Sequence, residues 1–192
     1  MHIPTHPLVR ETLNPGRVHK FLFSVWSSIK EACMYSKILV PLDGSEMAEA
    51  ALPLVCNLAD INEAEIVLLR VVEYPSEVYA VSNPYFPNDP PSIKMIQEKK
   101  QDYLSAAEEY LEMVATPIRS HHYRVSSEVW EGPVVEAIHA VADAINADLI
   151  VMSSHGRSTG SLCGIIGSVA NRVLNTSKIP VILASHPQQV AV

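Results

Sequence analysis

The sequence is poor in the residues that mark several large protein classes. Its three cysteines, Cys33, Cys56 and Cys163, are odd in number and far apart. With no C-x-x-C pair, neither a disulfide framework nor a zinc or dithiol site is expected, and reduced thiols in a cytoplasmic setting fit best. No apolar stretch approaches the roughly 20 residues of a bilayer-spanning helix. No Lys/Arg run of the size that nucleic-acid binding needs occurs, and 14 basic against 21 acidic residues leave a formal charge of −7. That balance argues against nucleic acid and anionic membranes as partners. Three signature loops are missing as well. The first strand is followed by neither G-x-G-x-x-G nor a Ser-Gly-Gly turn, and no G-x4-G-K-[S/T] occurs anywhere. Dinucleotide oxidoreductases, pyrophosphatase-type adenylating enzymes and P-loop NTPases are therefore disfavoured.

What is present suits one core with an appendage. Hydrophobic residues make up 48% of the 192, and single domains most often hold roughly 100–150 residues. Residues 1–34 read as an N-terminal extension: polar and proline-bearing at first, then Phe21, Leu22, Val25, Trp26 and Ile29 on one face of a short helix. Arg17 and Lys20 ahead of that stripe suggest a secretory signal or an interfacial helix. Ser24, Ser27 and Ser28 interrupt it and no A-x-A site follows, so the reading is a disordered or loosely docked segment. Met34, directly before the first strand, is an alternative start. Residues 35–186 form the domain and 187–192 a tail.

From Lys37 the pattern alternates. Lys37–Leu42 is a short apolar strand that ends at Asp43-Gly44-Ser45. Ser45 suits an N-cap, Ala48, Ala51, Leu52, Val55, Leu58 and Ala59 repeat at helical spacing, and Pro53 predicts a mild kink. Glu65–Val72 is almost continuously apolar, as a strand covered on both faces should be. Residues 74–92, with five prolines and Tyr74, Tyr79, Tyr85 and Phe86, form an irregular excursion. Those aromatics either stack on a ligand from a lid or pack on the long helix that follows. In that helix Ile93, Ile96, Tyr103, Ala107, Tyr110, Leu111 and Val114 keep the helical period. Tyr123, Val125 and Val129 mark a third strand, Gly132-Pro133 opens another helix, and Asp148–Met152 is a fourth strand. A final helix begins at Ser168 and Ile179–Ala184 is the fifth strand. This order predicts an α/β fold with a doubly wound, five-stranded parallel sheet. Such sheets bind ligands beyond the carboxyl ends of their strands, where strand order reverses.

That rule points to the loops after strands one and four. Four of the seven glycines fall between Gly156 and Gly167, and glycine lets backbone N–H groups approach an anion closely. Gly167-Ser168 stands where a helix begins, a natural phosphate site. Arg157 offers a charge-assisted contact and the Ser168 hydroxyl another; the plain alternative is a long loop with Ser168 as N-cap. Asp43 reads as a ligand-binding residue, because Ser45 already supplies the cap. His155 is a candidate phosphate contact, with no nucleophile or second base evident beside it. His121-His122 are expected to face solvent, since no third metal ligand is apparent.

The segments KILVPLDGS, LLRVV, EGPVVEAI and DLIVMSSHGRS…GSVANRVL…IPVIL occur in the order in which they occur in universal stress proteins. The chain from about Tyr35 to Ala184 resembles that family. The resemblance implies strand order 3-2-1-4-5 (adenine nucleotide alpha hydrolase-like) and ATP or a related adenine nucleotide in the cleft, with Mg²⁺. The pattern G-x2-G-x9-G-[S/T] of nucleotide-binding relatives falls on Ser153, Gly156 and Gly167-Ser168. Ser153 stands in place of a glycine, and ten residues rather than nine separate Gly156 from Gly167. By the same resemblance Asp43 contacts the nucleoside, the Val71 backbone meets adenine, and Pro41, Leu42 and Val169 complete the pocket.

Three functions follow. The first is a nucleotide-binding stress-response module without strong catalysis, whose state an unidentified protein partner reads. The second is a slow ATP hydrolase or phosphotransfer protein with Mg²⁺ on the phosphates and Ser168. The third is a nucleotide-free, partner-binding protein, consistent with Ser153 and the longer loop. Under each, the exposed edge Ile179–Ala184 is expected to pair in a homodimer.

Overall fold

A computed structural model describes residues 35–75, 78, 93–156 and 166–185, all within the unit Tyr35–Val192. The extension 1–34, the aromatics Tyr79, Tyr85 and Phe86, Arg157 and the tail 187–192 lie outside the described residues.

Five strands form one sheet: β1 Lys37–Pro41, β2 Glu65–Val72, β3 Val125–Glu131, β4 Leu149–Ser153 and β5 Val181–Ala184. Every neighbouring pair is parallel and the order is β3-β2-β1-β4-β5. The three inner strands explain the apolar runs. Ile38, Leu39 and Val40 are fully buried, as are Ile66, Leu68, Leu149 and Ile150, because helices cover both faces.

Side-chain alternation sorts the core into two layers. Ile38, Val40, Ile66 and Leu68 pack against helices α1 Glu46–Glu49, α2 Leu52–Asn62 and α3 Ile93–Ser120. Leu39, Val67, Leu69 and Val71 pack on the opposite face against α4 Val134–Ile145 and α5 Ser168–Thr176. Truncating a wholly buried leucine such as Leu111, where α3 meets the sheet, costs about 2–5 kcal/mol.

One local expectation is corrected. Pro53 does not merely kink one helix. It separates two, sitting in the first turn of α2, where its missing N–H has no intrahelical partner to lose. Ile93 keeps the helical period but is 75% exposed. The helical period continues to the start of α3, yet burial on α3 begins only at Ala107. α2 and α4 both end on left-handed residues, Glu63 (φ 52°) and Asn146 (φ 53°), whose N–H groups return to Ala59 and to Ala142 and Asp143. Among the described residues no helix is long and apolar enough to cross a membrane.

Candidate nucleotide-binding cleft

Strand order reverses between β1 and β4, and there a cleft of about 640 Å³ opens beyond their carboxyl ends. Its volume lies within the 300–1,000 Å³ usual for small-molecule sites. Pro41, Leu42 and Asp43 form its floor at the end of β1. Val71 closes one side, while Ser153, His155 and Gly156 follow β4 on the other. Gly167, Ser168 and Val169 complete it at the start of α5. All the described residues expected from sequence to bind a ligand thus line one cleft.

The β1 loop and the β4 loop touch. Asp43 Oδ1 accepts from the Ser45 N–H at 3.0 Å and from the Ser45 hydroxyl at 2.5 Å. Ser45 Oγ in turn accepts from Ala48 N–H at 3.2 Å and caps α1. Gly44, at φ +82°, allows this turn. A Cβ at Gly156 would lie 2.7 Å from Asp43 Oδ2. Gly156 is therefore required to be small by the Asp43 carboxylate, whatever its role toward a ligand.

The N-terminus of α5 opens on the cleft. Its N-cap is Gly167 and Ser168 is the first helical residue, where the sequence reading began the helix; the plain alternative with Ser168 as N-cap does not hold. The Gly167 N–H donates to Ser154 O at 2.8 Å and ties the helix to the end of β4. The first intrahelical bond runs from Asn171 N to Gly167 O. The N–H groups of Ser168, Val169 and Ala170 precede it, all three residues line the cleft, and no side chain caps them. Ser153, in place of a glycine, turns its hydroxyl back onto the His155 N–H at 3.3 Å. The Ser154 hydroxyl lies 2.8 Å from His155 Nδ1, a neighbour that the sequence reading had not seen.

The β2 side offers a backbone edge. β1 and β2 pair as far as Pro41↔Leu69, and Leu42 N–H still reaches Leu69 O at 2.8 Å. β2 continues to Val72, paired to β3 throughout. Backbone groups of successive residues turn to opposite neighbours. Ile66 and Val72 face β3 through bonds to Arg124 and Gly132, and Leu69 faces β1. Val71 therefore faces β1 too, at the level where β1 has turned away at Asp43. Its N–H and C=O point into the gap.

Sequence reasoning missed the α3 side. Arg70 lines the cleft from the α1–α3 face and donates from Nη1 to Leu42 O at 3.2 Å. Tyr103, Ala106, Ala107 and Tyr110 line it from α3. Tyr110 donates to Glu49 Oε1 at 3.0 Å. Burial above all, then the Glu49 hydrogen bond and charge, hold its phenol well above the ordinary tyrosine range, with Arg70 opposing. The signal for Arg70 was there, a lone cation in the apolar run LLRVV. His121 and His122 are exposed in the turn after α3, and among the described residues no three His, Cys, Asp or Glu side chains converge as a metal site.

The profile of the universal stress protein family matches residues 34–185. The chain belongs to the universal stress protein family. Among this family, the chain is 28% identical over 161 residues to universal stress protein MJ0531 of Methanocaldococcus jannaschii, covering 81% of this chain and 85% of that protein. It is 31% identical over 150 residues to Sll1654 of Synechocystis sp., covering 78% and 85%. The solved structure of MJ0577 from M. jannaschii is similar at a TM-score of 0.66 and 27% identity, covering 81% of this chain and 99% of that one. The family membership and the strand order expected from sequence agree with the fold.

Proposed function

We propose that the cleft binds an adenine nucleotide, ATP or a close relative, with Mg²⁺, and that this universal stress protein acts as a nucleotide-responsive module rather than a fast enzyme. The observation that carries the reading is the facing pair of backbone sites, the Val71 edge and the α5 N–H donors, with Asp43 between them. Adenine presents an amino donor beside the N1 acceptor, which complements a C=O and N–H on one residue. Guanine presents an acceptor beside an N–H donor, and each mismatched polar group left unpaired costs about 1–3 kcal/mol. In this reading the ribose lies at Asp43, and the phosphates lie on Gly167, Ser168 and Val169, with His155 and Gly156 alongside. Asp43 and Glu73 outnumber Arg70 among the described cleft residues with full charges, which favours a magnesium complex over the free polyanion. The metal would be held mainly by phosphate oxygens, with the Ser168 hydroxyl. A protein of this fold from Arabidopsis thaliana, At3g01520, similar at a TM-score of 0.54 and 13% identity, has been solved with AMP bound.

A thermal unfolding scan tests the reading. Ligand at about 100 times Kd adds about 2.7 kcal/mol, or roughly 5–10 °C in Tm for a chain of this size. Mg-ATP should give that shift and Mg-GTP a much smaller one; equal shifts would remove the role of Val71. The Ser154–His155 pair favours a second reading, slow hydrolysis or phosphotransfer, in which phosphate release disappears in Asp43→Ala. We further propose that two copies pair through β5, an edge strand whose Val181, Ile182 and Leu183 are only half-buried, and that a protein partner reads the nucleotide state.

A further inference from the structure

We infer that Tyr103 stacks on the nucleobase, so that α3 supplies one wall of the base site; this rests on the adenine-nucleotide reading above. A base hydrogen-bonded to Val71 lies in the plane of the sheet, in the space that β1 vacates at Asp43. Its two faces then look toward the two helical layers. On one side are the aliphatic side chains of Val134 and Ile138 from α4. On the other is α3, which presents an aromatic ring to the same cleft.

Tyr103 is 38% exposed although it is large and apolar on its faces, and it lines the cleft. Its tilt is fixed. The Tyr74 ring meets it nearly perpendicular, at 87° with centroids 6.0 Å apart. Lys100 Nζ in turn sits 4.6 Å from the centroid of Tyr74. Tyr74 follows closely on the end of β2, so the aromatic wall is anchored to the strand that carries Val71. One turn further along α3, Ala106 and Ala107 keep the wall low. Tyr110, about 10 Å beyond Tyr103 along the axis, closes the slot. Phosphates do not belong here, because the uncapped N–H donors are across the cleft on α5. Tyr74 itself packs on the long helix, the plainer of the two outcomes expected for it from sequence, and the stacking residue comes from the helix instead.

The test uses the full chain and Mg-ATP, with calorimetry for affinity and proton NMR for geometry. Base–aromatic stacking implies that Tyr103→Ala weakens Mg-ATP about 5- to 150-fold. Tyr103→Phe, which keeps the ring, should stay within about three-fold of wild type. In the wild-type complex the adenine H2 or H8 resonance should move upfield through the ring current, and this shift should vanish in Tyr103→Ala. Unchanged affinity in Tyr103→Ala overturns the inference while leaving the nucleotide reading intact. Weakened affinity without a ring-current shift in wild type assigns Tyr103 a structural role and overturns it as well. If wild type binds no adenine nucleotide, both readings fall together.

Discussion

Gly156→Ala isolates the contact between the two loops that build the cleft. The added methyl would stand 2.7 Å from Asp43 Oδ2 and 3.7 Å from its Cγ. Ordinary contact begins near 3.4 Å, so something must give by about 0.7 Å. Gly156 does not occupy the left-handed region, so backbone strain adds nothing and the effect is steric. Asp43 cannot yield freely, because its other oxygen holds the Ser45 N–H and hydroxyl, and Ser45 caps α1. Overpacking of this kind costs about 1–3 kcal/mol, and loss of the cap alone costs about 1 kcal/mol. The expected penalty is therefore about 1–3 kcal/mol, read as a lower denaturant midpoint at unchanged slope. A double-mutant cycle makes the cause visible. In an Asp43→Ala background the methyl has room, and Gly156→Ala should cost under about 0.5 kcal/mol. Mg-ATP affinity should fall about ten-fold or more in Gly156→Ala, since the carboxylate is displaced from the cleft. An unchanged midpoint, or the same penalty with and without Asp43, would refute the reasoning.

Two further outcomes are expected. Asp148 Oδ2 accepts from Ser36 N–H, Ser36 Oγ and Lys37 N–H at 2.7, 2.6 and 2.9 Å. Partial burial works against its ionisation, but these bonds and the Lys37 charge prevail and hold its pKa below the ordinary value. A depressed folded pKa stabilises above the unfolded value of about 3.9 and is lost as pH falls through the folded one. Asp148→Asn should therefore cost about 1 kcal/mol at pH 7, with the gap closing in acid when Tm is followed against pH. Val181→Pro should give monomers by sedimentation. Pro180 and Ala184 carbonyls accept from β4, so Val181 turns its N–H to the open edge and proline removes an outward donor alone. A dimer that survives the change uses another surface.

The sheet was legible because burial on both faces forces uninterrupted apolar runs, and Glu65–Val72 was bounded correctly for that reason. The cleft was legible at β1, β4 and α5, where glycines gather in a chain otherwise short of them. The α3 wall was not. Tyr103 keeps the helical period of the buried face, and periodicity does not tell a residue under the sheet from one beside its open end. The Tyr110–Glu49 bond joins positions 61 residues apart, and local pattern carries no trace of such a pairing. Pro53 signalled an interruption, but the choice between a kink and two helices depends on how α1 packs, which spacing does not encode.

The most direct test of the central claim is a calorimetric titration of the full chain with Mg-ATP, beside Asp43→Ala. The account predicts saturable binding of about one nucleotide per chain, weakened at least ten-fold in Asp43→Ala. No heat of binding in wild type, with the chain folded, would contradict it, as would equal affinity in the two proteins.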